Sequence, residues 1–197
     1  MTRWLHAGAE PRAKIARMHH STPHRREFLG SAARGWLAAL VLFALAAAQP
    51  AHALDAPAGK VLLTVSGSLN HTNQDRSAAF DLAMLEKLPQ TSFSTKTPWY
   101  PQPRKFSGVL VRDLLAALGT QATQLRAEAL NDYRVDMPVD ELIKHGALLA
   151  YLLDDKPMSV REKGPLIIIF PFDDQPELRT AVHYSRAIWQ LRSLELR

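Results

Sequence analysis

The chain has 197 residues, 47% of them apolar and 22% charged, and contains no cysteine. This length suits one domain with an additional segment. The missing cysteines exclude a disulfide scaffold, a cysteine zinc site, an iron–sulfur cluster and a thiol nucleophile. The formal charge of +5 comes from the N-terminal stretch: residues 1–53 hold seven Lys and Arg against Glu10 and Glu27, leaving seventeen basic and seventeen acidic side chains over residues 54–197. A neutral body lacks the basic stripe that phosphate neutralisation requires, so no nucleic acid partner is expected.

In chain order, the first element is a leader. A basic stretch ending in Arg25-Arg26 precedes thirteen apolar residues, Trp36 to Ala48, and Ala51-His52-Ala53 forms an A-x-A cleavage site before Leu54. Thirteen helical residues rise about 20 Å, short of a ~30 Å hydrocarbon core. The order of basic, apolar and small residues predicts a cleaved signal peptide over 1–53. A periplasmic domain over 54–197 then follows, with no stable membrane insertion after cleavage. An uncleaved anchor is the alternative, and Met18 is a second candidate start. Arg25-Arg26-Glu27-Phe28-Leu29 carries the core of the twin-arginine pattern, while His24 and Gly30 depart from it, so twin-arginine and general secretory export both stay open.

The body reads as a compact α+β domain. Lys60 to Gly67 is rich in β-branched and apolar residues and predicts a strand. Ser77 to Leu88 puts Phe80, Met84, Leu85 and Leu88 on one helical face, and Pro89 ends it. Val109 to Leu118 repeats that pattern, with Gly119 as its C-cap. Asp140 to Lys144 predicts a helical turn, and Ala147 to Leu153 a strand ending at Asp154-Asp155. Pro165 to Pro171 predicts a short buried strand and Ala187 to Leu196 a closing one. Short strands with few helices argue against a doubly wound parallel sheet.

No catalytic motif is present: G-x-S-x-G, P-loop, G-x-G-x-x-G and H-E-x-x-H are all missing. His71, His145 and His183 show no metal-ligand spacing and read as surface or loop residues, so neither catalytic residues nor metal ligands are assigned. Asp154-Asp155 and Asp173-Asp174 read as turns.

Phe106-Ser107-Gly108-Val109-Leu110-Val111-Arg112-Asp113-Leu114-Leu115 resembles the F-x-G-V-x-L-x-D-L-L signature of the sulfite-oxidase-like, molybdopterin-binding oxidoreductase domain. Ala129 to Tyr133, Leu149 to Tyr151 with Lys156 to Met158, Gly164 to Leu166 with Pro171, and Ser185 to Leu191 resemble the same superfamily in the same order. The resemblance implies a mixed-sheet, barrel-like molybdopterin-binding fold with a few short helices. Redox-active members hold molybdenum through a cysteine that falls before the F-x-G-V segment, where this chain reads Phe93 to Tyr100. Hydroxyls substitute poorly for a soft thiolate. The chain resembles a small cysteine-free branch of exported pterin-binding proteins that work beside membrane-bound signalling partners.

A pterin needs an aromatic face and a hydrogen-bonding edge. Trp99 and Tyr100, bracketed by Pro98 and Pro101, offer rings; Asn131, Asp132 and Tyr133 offer an amide, a carboxylate and a phenol; Arg161 offers a donor fork. The expectation is a non-catalytic periplasmic protein that binds pterin as a ligand and carries no molybdenum. Its partner would be the periplasmic domain of a membrane-bound signalling protein. The alternative is a molybdopterin-dependent oxidoreductase, or its remnant subunit, with a non-cysteine metal ligand.

Overall fold

The computed structural model describes residues 54–197. The leader reading, with its Arg25-Arg26 pattern and cleavage before Leu54, lies outside the described residues. Among the described residues no helix is long and apolar enough to cross a membrane.

Among the described residues ten strands form two five-stranded sheets. The first runs in the order β2-β1-β10-β5-β6, from Ser77–Phe80, Leu63–Gly67, Leu191–Leu196, Gln124–Ala129 and Arg134–Pro138. Its one parallel pairing joins β1 to β10, with Thr64 opposite Ser193. The second contains β3 (Gln90–Thr97), β4 (Tyr100–Leu110), β7 (Leu148–Leu153) and β8 (Lys156–Pro157), with β9 (Ile167–Ile169) also pairing β7. Four short helices among the described residues accompany them: α1 (Leu82–Glu86), α2 (Val111–Leu118), α3 (Val139–Lys144) and α4 (Ala181–Arg186). The α+β expectation holds, but both sheets stay open. The barrel-like element of the expectation is therefore corrected.

One apolar core joins the two sheets. Leu63 and Val65 of β1, Leu125 of β5, Phe106 of β4 and Leu148 of β7 are fully buried in it, together with Leu114 and Leu118 of α2. Helix α2 starts at Val111, two residues later than its periodicity suggests, because Val109 and Leu110 still pair with Leu149 and Leu148 in the sheet. Gly119 closes it at φ 62 in the left-handed region, as expected of a C-cap.

The helix predicted over Ser77–Leu88 is corrected. Ser77–Phe80 pairs antiparallel with β1, and only Leu82–Glu86 is helical. Asp81 makes the division. Its carboxylate accepts the Met84 N–H at 2.9 Å as a helix cap, and also the Ala58 and Gly59 N–H groups at 2.8 and 2.7 Å. Phe80, Met84 and Leu85 are buried as their spacing implies. That spacing cannot distinguish a strand followed by a helical turn from one continuous helix.

The segment around Trp99 is also more ordered than expected. It is the tip of a long hairpin in which Phe93 opposes Phe106 and Thr97 opposes Tyr100, so Tyr100 and Pro101 belong to a strand rather than a loop. The register shifts between Thr95 and Thr97, across from the stretch that holds Pro101 and Pro103. This is where ladder-breaking prolines are tolerated. Polar residues alternate outward along β3, at the edge of its sheet, so the apolar run that marks a strand in sequence never forms.

Candidate pterin-binding site

A cavity of about 260 Å³ opens where the β5–β6 turn, helix α4 and the approach to β10 meet, lined by Asn131, Tyr133, Tyr184, Ser185, Trp189 and Gln190. The Tyr133 hydroxyl donates to the Ser185 carbonyl at 3.0 Å, and the Asn131 side-chain oxygen accepts the Tyr133 N–H at 3.2 Å. The Asn131 Nδ2 donors make no bond to another described residue, leaving the amide edge available to a ligand. Leu130 N–H donates to the Gln190 carbonyl at 2.8 Å, which fixes the turn against the entry to β10.

Trp99 reaches this region from the hairpin tip. Its ring lies 6.5 Å from that of Trp189 at an interplanar angle of 14°. The Trp99 Nε1–H is buried and has no partner. An unpaired buried donor costs free energy unless something accepts from it. Tyr100 sits one residue further, with Arg104 5.1 Å above its ring, and burial pushes its hydroxyl above the ordinary tyrosine range.

Of the six residues chosen from sequence, Asn131 and Tyr133 line this cavity, and Trp99 stands behind its wall against the ring of Trp189. Asp132 turns away: at φ 64 it occupies the left-handed position of the turn, and its carboxylate takes the Arg192 guanidinium at 2.9 Å, with a side chain 73% exposed. Arg161 lies on an exposed 3-10 turn, Val160–Glu162, that Ser159 and Glu162 close with a reciprocal capping box. That turn is tied to the site by the Gln190 side chain, which donates to the Val160 carbonyl at 2.8 Å.

Sequence reasoning missed Trp189 and Gln190. Both sit in Ala187 to Leu196, read only as a strand, whereas β10 begins at Leu191. A tryptophan two residues ahead of an alternating strand was the available signal. It also missed the proximity of His145 and His183, whose rings stand 5.8 Å apart beside Phe170.

A larger cavity of about 650 Å³ lies elsewhere, walled by Leu62, Leu82, Leu152, Pro157 and Met158. It contains none of the six candidates; of its polar lining, the Asp81 carboxylate is taken up by three N–H groups and the Tyr151 hydroxyl by Gln90, which leaves Lys60 and Glu86. Recognition of a polar heterocycle needs convergent donors and acceptors. The smaller cavity supplies them.

The two halves of a molybdopterin fit this chain differently. The metal half finds no thiolate in the sequence, and among the described residues no three His, Asp or Glu side chains converge. The pterin half finds two near-parallel indoles, an unpartnered buried N–H, an amide and a phenol.

A family model described as the oxidoreductase molybdopterin binding domain matches residues 63–172, more than half of the chain. The chain belongs to this family. It therefore carries a molybdopterin-binding, oxidoreductase-like domain, and a pterin-type group is the ligand class to expect. The crystal structure of the sulfane dehydrogenase SoxCD from Paracoccus pantotrophus shares the fold, with a TM-score of 0.51 at 16% identity. The likeness covers 68% of this chain and 37% of that one, so the chain spans little more than a third of that enzyme's length. No curated protein matches the sequence. Trp189 lies beyond the span matched by the family model, on the structural elements that complete the cavity.

Proposed function

We propose that this molybdopterin-domain protein is an exported, non-catalytic pterin-binding protein, which relays occupancy of its site to the periplasmic domain of a membrane-bound signalling protein. One observation carries the reading. A chain without cysteine keeps the aromatic and hydrogen-bonding groups that a pterin ring needs, grouped around one cavity. The leader pattern supports export, with the mature chain starting near Leu54.

The test is quenching of tryptophan fluorescence by neopterin and dihydroneopterin, since Trp99 and Trp189 would both meet the ring. Saturable quenching at micromolar ligand is the expected result. No binding of either compound by folded protein overturns the reading. Elemental analysis of protein recovered from the exported fraction is expected to find far less than one molybdenum per chain.

Membership of the oxidoreductase family favours a second reading, a molybdopterin-dependent oxidoreductase or its remnant subunit with a non-cysteine ligand. Stoichiometric molybdenum in the same preparation would establish it in place of the first.

A further inference from the structure

We propose that the larger cavity, away from the aromatic site, binds a single-chain amphiphile with a carboxylate head, of the fatty-acid kind, and that Lys60 holds the carboxylate. The inference is independent of the pterin-binding reading and adds a second ligand class to the domain.

The cavity of about 650 Å³ adjoins a second one of about 630 Å³, and Lys60, Leu62, Met158 and Pro165 line both. The two differ in polarity. Inside the first, Leu82, Leu152 and Pro157 offer a hydrocarbon surface, because the Asp81 carboxylate and the Tyr151 hydroxyl are already engaged. The second carries Thr64 and Ser193, which stand opposite each other in the parallel β1–β10 pairing, and neither hydroxyl bonds another described residue. Charge points the same way. Among the described residues Lys60 has no ion-pair partner, whereas Arg192, the other cation of the second cavity, is engaged by Glu128 and Asp132. Glu86, exposed on α1, borders only the first cavity and repels an anion there. A carboxylate therefore settles at the shared wall, on Lys60 and beside the two hydroxyls, and the chain attached to it extends into the apolar cavity.

The shared wall is formed before any ligand arrives. The Asp81 carboxylate accepts the Ala58 and Gly59 N–H groups at 2.8 and 2.7 Å, which pins the segment that carries Lys60. Met158 is buried, and its backbone approaches Gly164 so closely that a side chain there would collide with it, which keeps Met158 and Pro165 together. A preformed wall spares a ligand the cost of ordering it. A cavity of this size is in the range that small-molecule sites use, and each methylene removed from water adds to binding. An ammonium without a partner is the group that a carboxylate completes.

The experiment is calorimetric titration of mature protein from the exported fraction with octanoate, decanoate, dodecanoate and dodecyltrimethylammonium, each below its micelle concentration. Dodecanoate should bind saturably, and affinity should rise about fourfold for each methylene added along the carboxylate series. The cationic amphiphile of the same chain length should bind about tenfold more weakly, the scale of one charge-assisted contact. Lys60→Met should remove that difference, and Lys60→Arg should keep it. Ala83 is exposed and lines the apolar cavity, so Ala83→Phe fills the cavity without touching the core. It should abolish dodecanoate binding and leave the melting temperature unchanged. Absence of dodecanoate binding overturns the proposal, as does equal affinity for the two head groups or full binding by Ala83→Phe. Neopterin should not compete with dodecanoate; competition would place the chain in the aromatic cavity and overturn the assignment, whatever the outcome for pterin binding itself.

Discussion

At the scale of single residues, the site turns on which polar groups are already engaged. Asp132 offers the chemistry a pterin's amino–imino edge wants, yet its carboxylate is committed to Arg192, while Asn131, beside it in the turn, lines the cavity. Asn131→Ala should therefore reduce pterin affinity more than Asp132→Ala does, and parallel fluorescence titrations would show the order. Trp99→Ala should cost about ten- to a hundredfold in affinity, the range of losing one stacking face. Trp99→Phe should lose less, because a six-membered ring remains although the pyrrole ring and its unpartnered N–H are gone. Asn131 and Tyr133, which line the cavity, stand out in the sequence because aromatic and amide side chains cluster there between turn residues. The direction of Asp132 was not, since it depends on Arg192, sixty residues later and on a different strand.

At the scale of elements, helix α2 and strand β7 could be read from sequence within one or two residues, because each packs a regular apolar face. The β3–β4 hairpin could not: at the sheet edge its outward residues are polar, and its pairing is set by partners rather than by its own composition. Strand β4 also contains one of the fold's tight backbone approaches. Gly108 sits where the register between β4 and β7 shifts, and a Cβ there would overlap the Leu149 carbonyl and the Ala150 Cα. Gly108→Ala must push two central strands apart, so it should destabilise the domain by about 3 kcal/mol or prevent its folding. Thermal unfolding of the variant would measure this. A melting temperature within two or three degrees of wild type, roughly the effect of less than 1 kcal/mol, would contradict the clash.

At the scale of the whole molecule, the charge pattern predicts loss of stability in acid by two separate steps. Burial holds the His183 imidazole below its ordinary value of 6.5, with Arg186 adding to the effect, and its side chain is 17% exposed. A base depressed in the folded state is protonated more readily in the unfolded one, so its contribution is complete above 6.5 and lost as pH falls through the folded value. The carboxyls follow at lower pH. Asp81 is lowered by N–H groups led by Gly59, Glu128 by Arg134 and Arg192, and Asp136 by Arg126. Asp154 is lowered by the Lys105 N–H and Arg104, and Glu195 by Arg197. Each of these stabilises above the unfolded carboxylate range and ceases to do so as pH drops below it. The melting temperature should therefore begin to decline as pH falls below about 6.5, then decline more steeply below about pH 4. His183→Gln should flatten the first decline and leave the second unchanged. Because His183 adjoins Tyr184 in the cavity wall, ligand affinity should weaken over the same upper interval.

The parallel pairing of β1 with β10 governs when this protein can fold. β10 is the middle strand of its sheet, and both β1 and β5 pair directly against it. A chain growing from its N-terminus makes β1 early, yet the strand that must lie beside it emerges from the ribosome only after residue 190. Until β10 is made, β1 and β5 each expose an unfilled edge, the kind of surface on which nascent chains associate wrongly. The first sheet can therefore close only once β10 is present, and chains released before Leu191 should be captured by chaperones or proteases rather than accumulate as partly working domains.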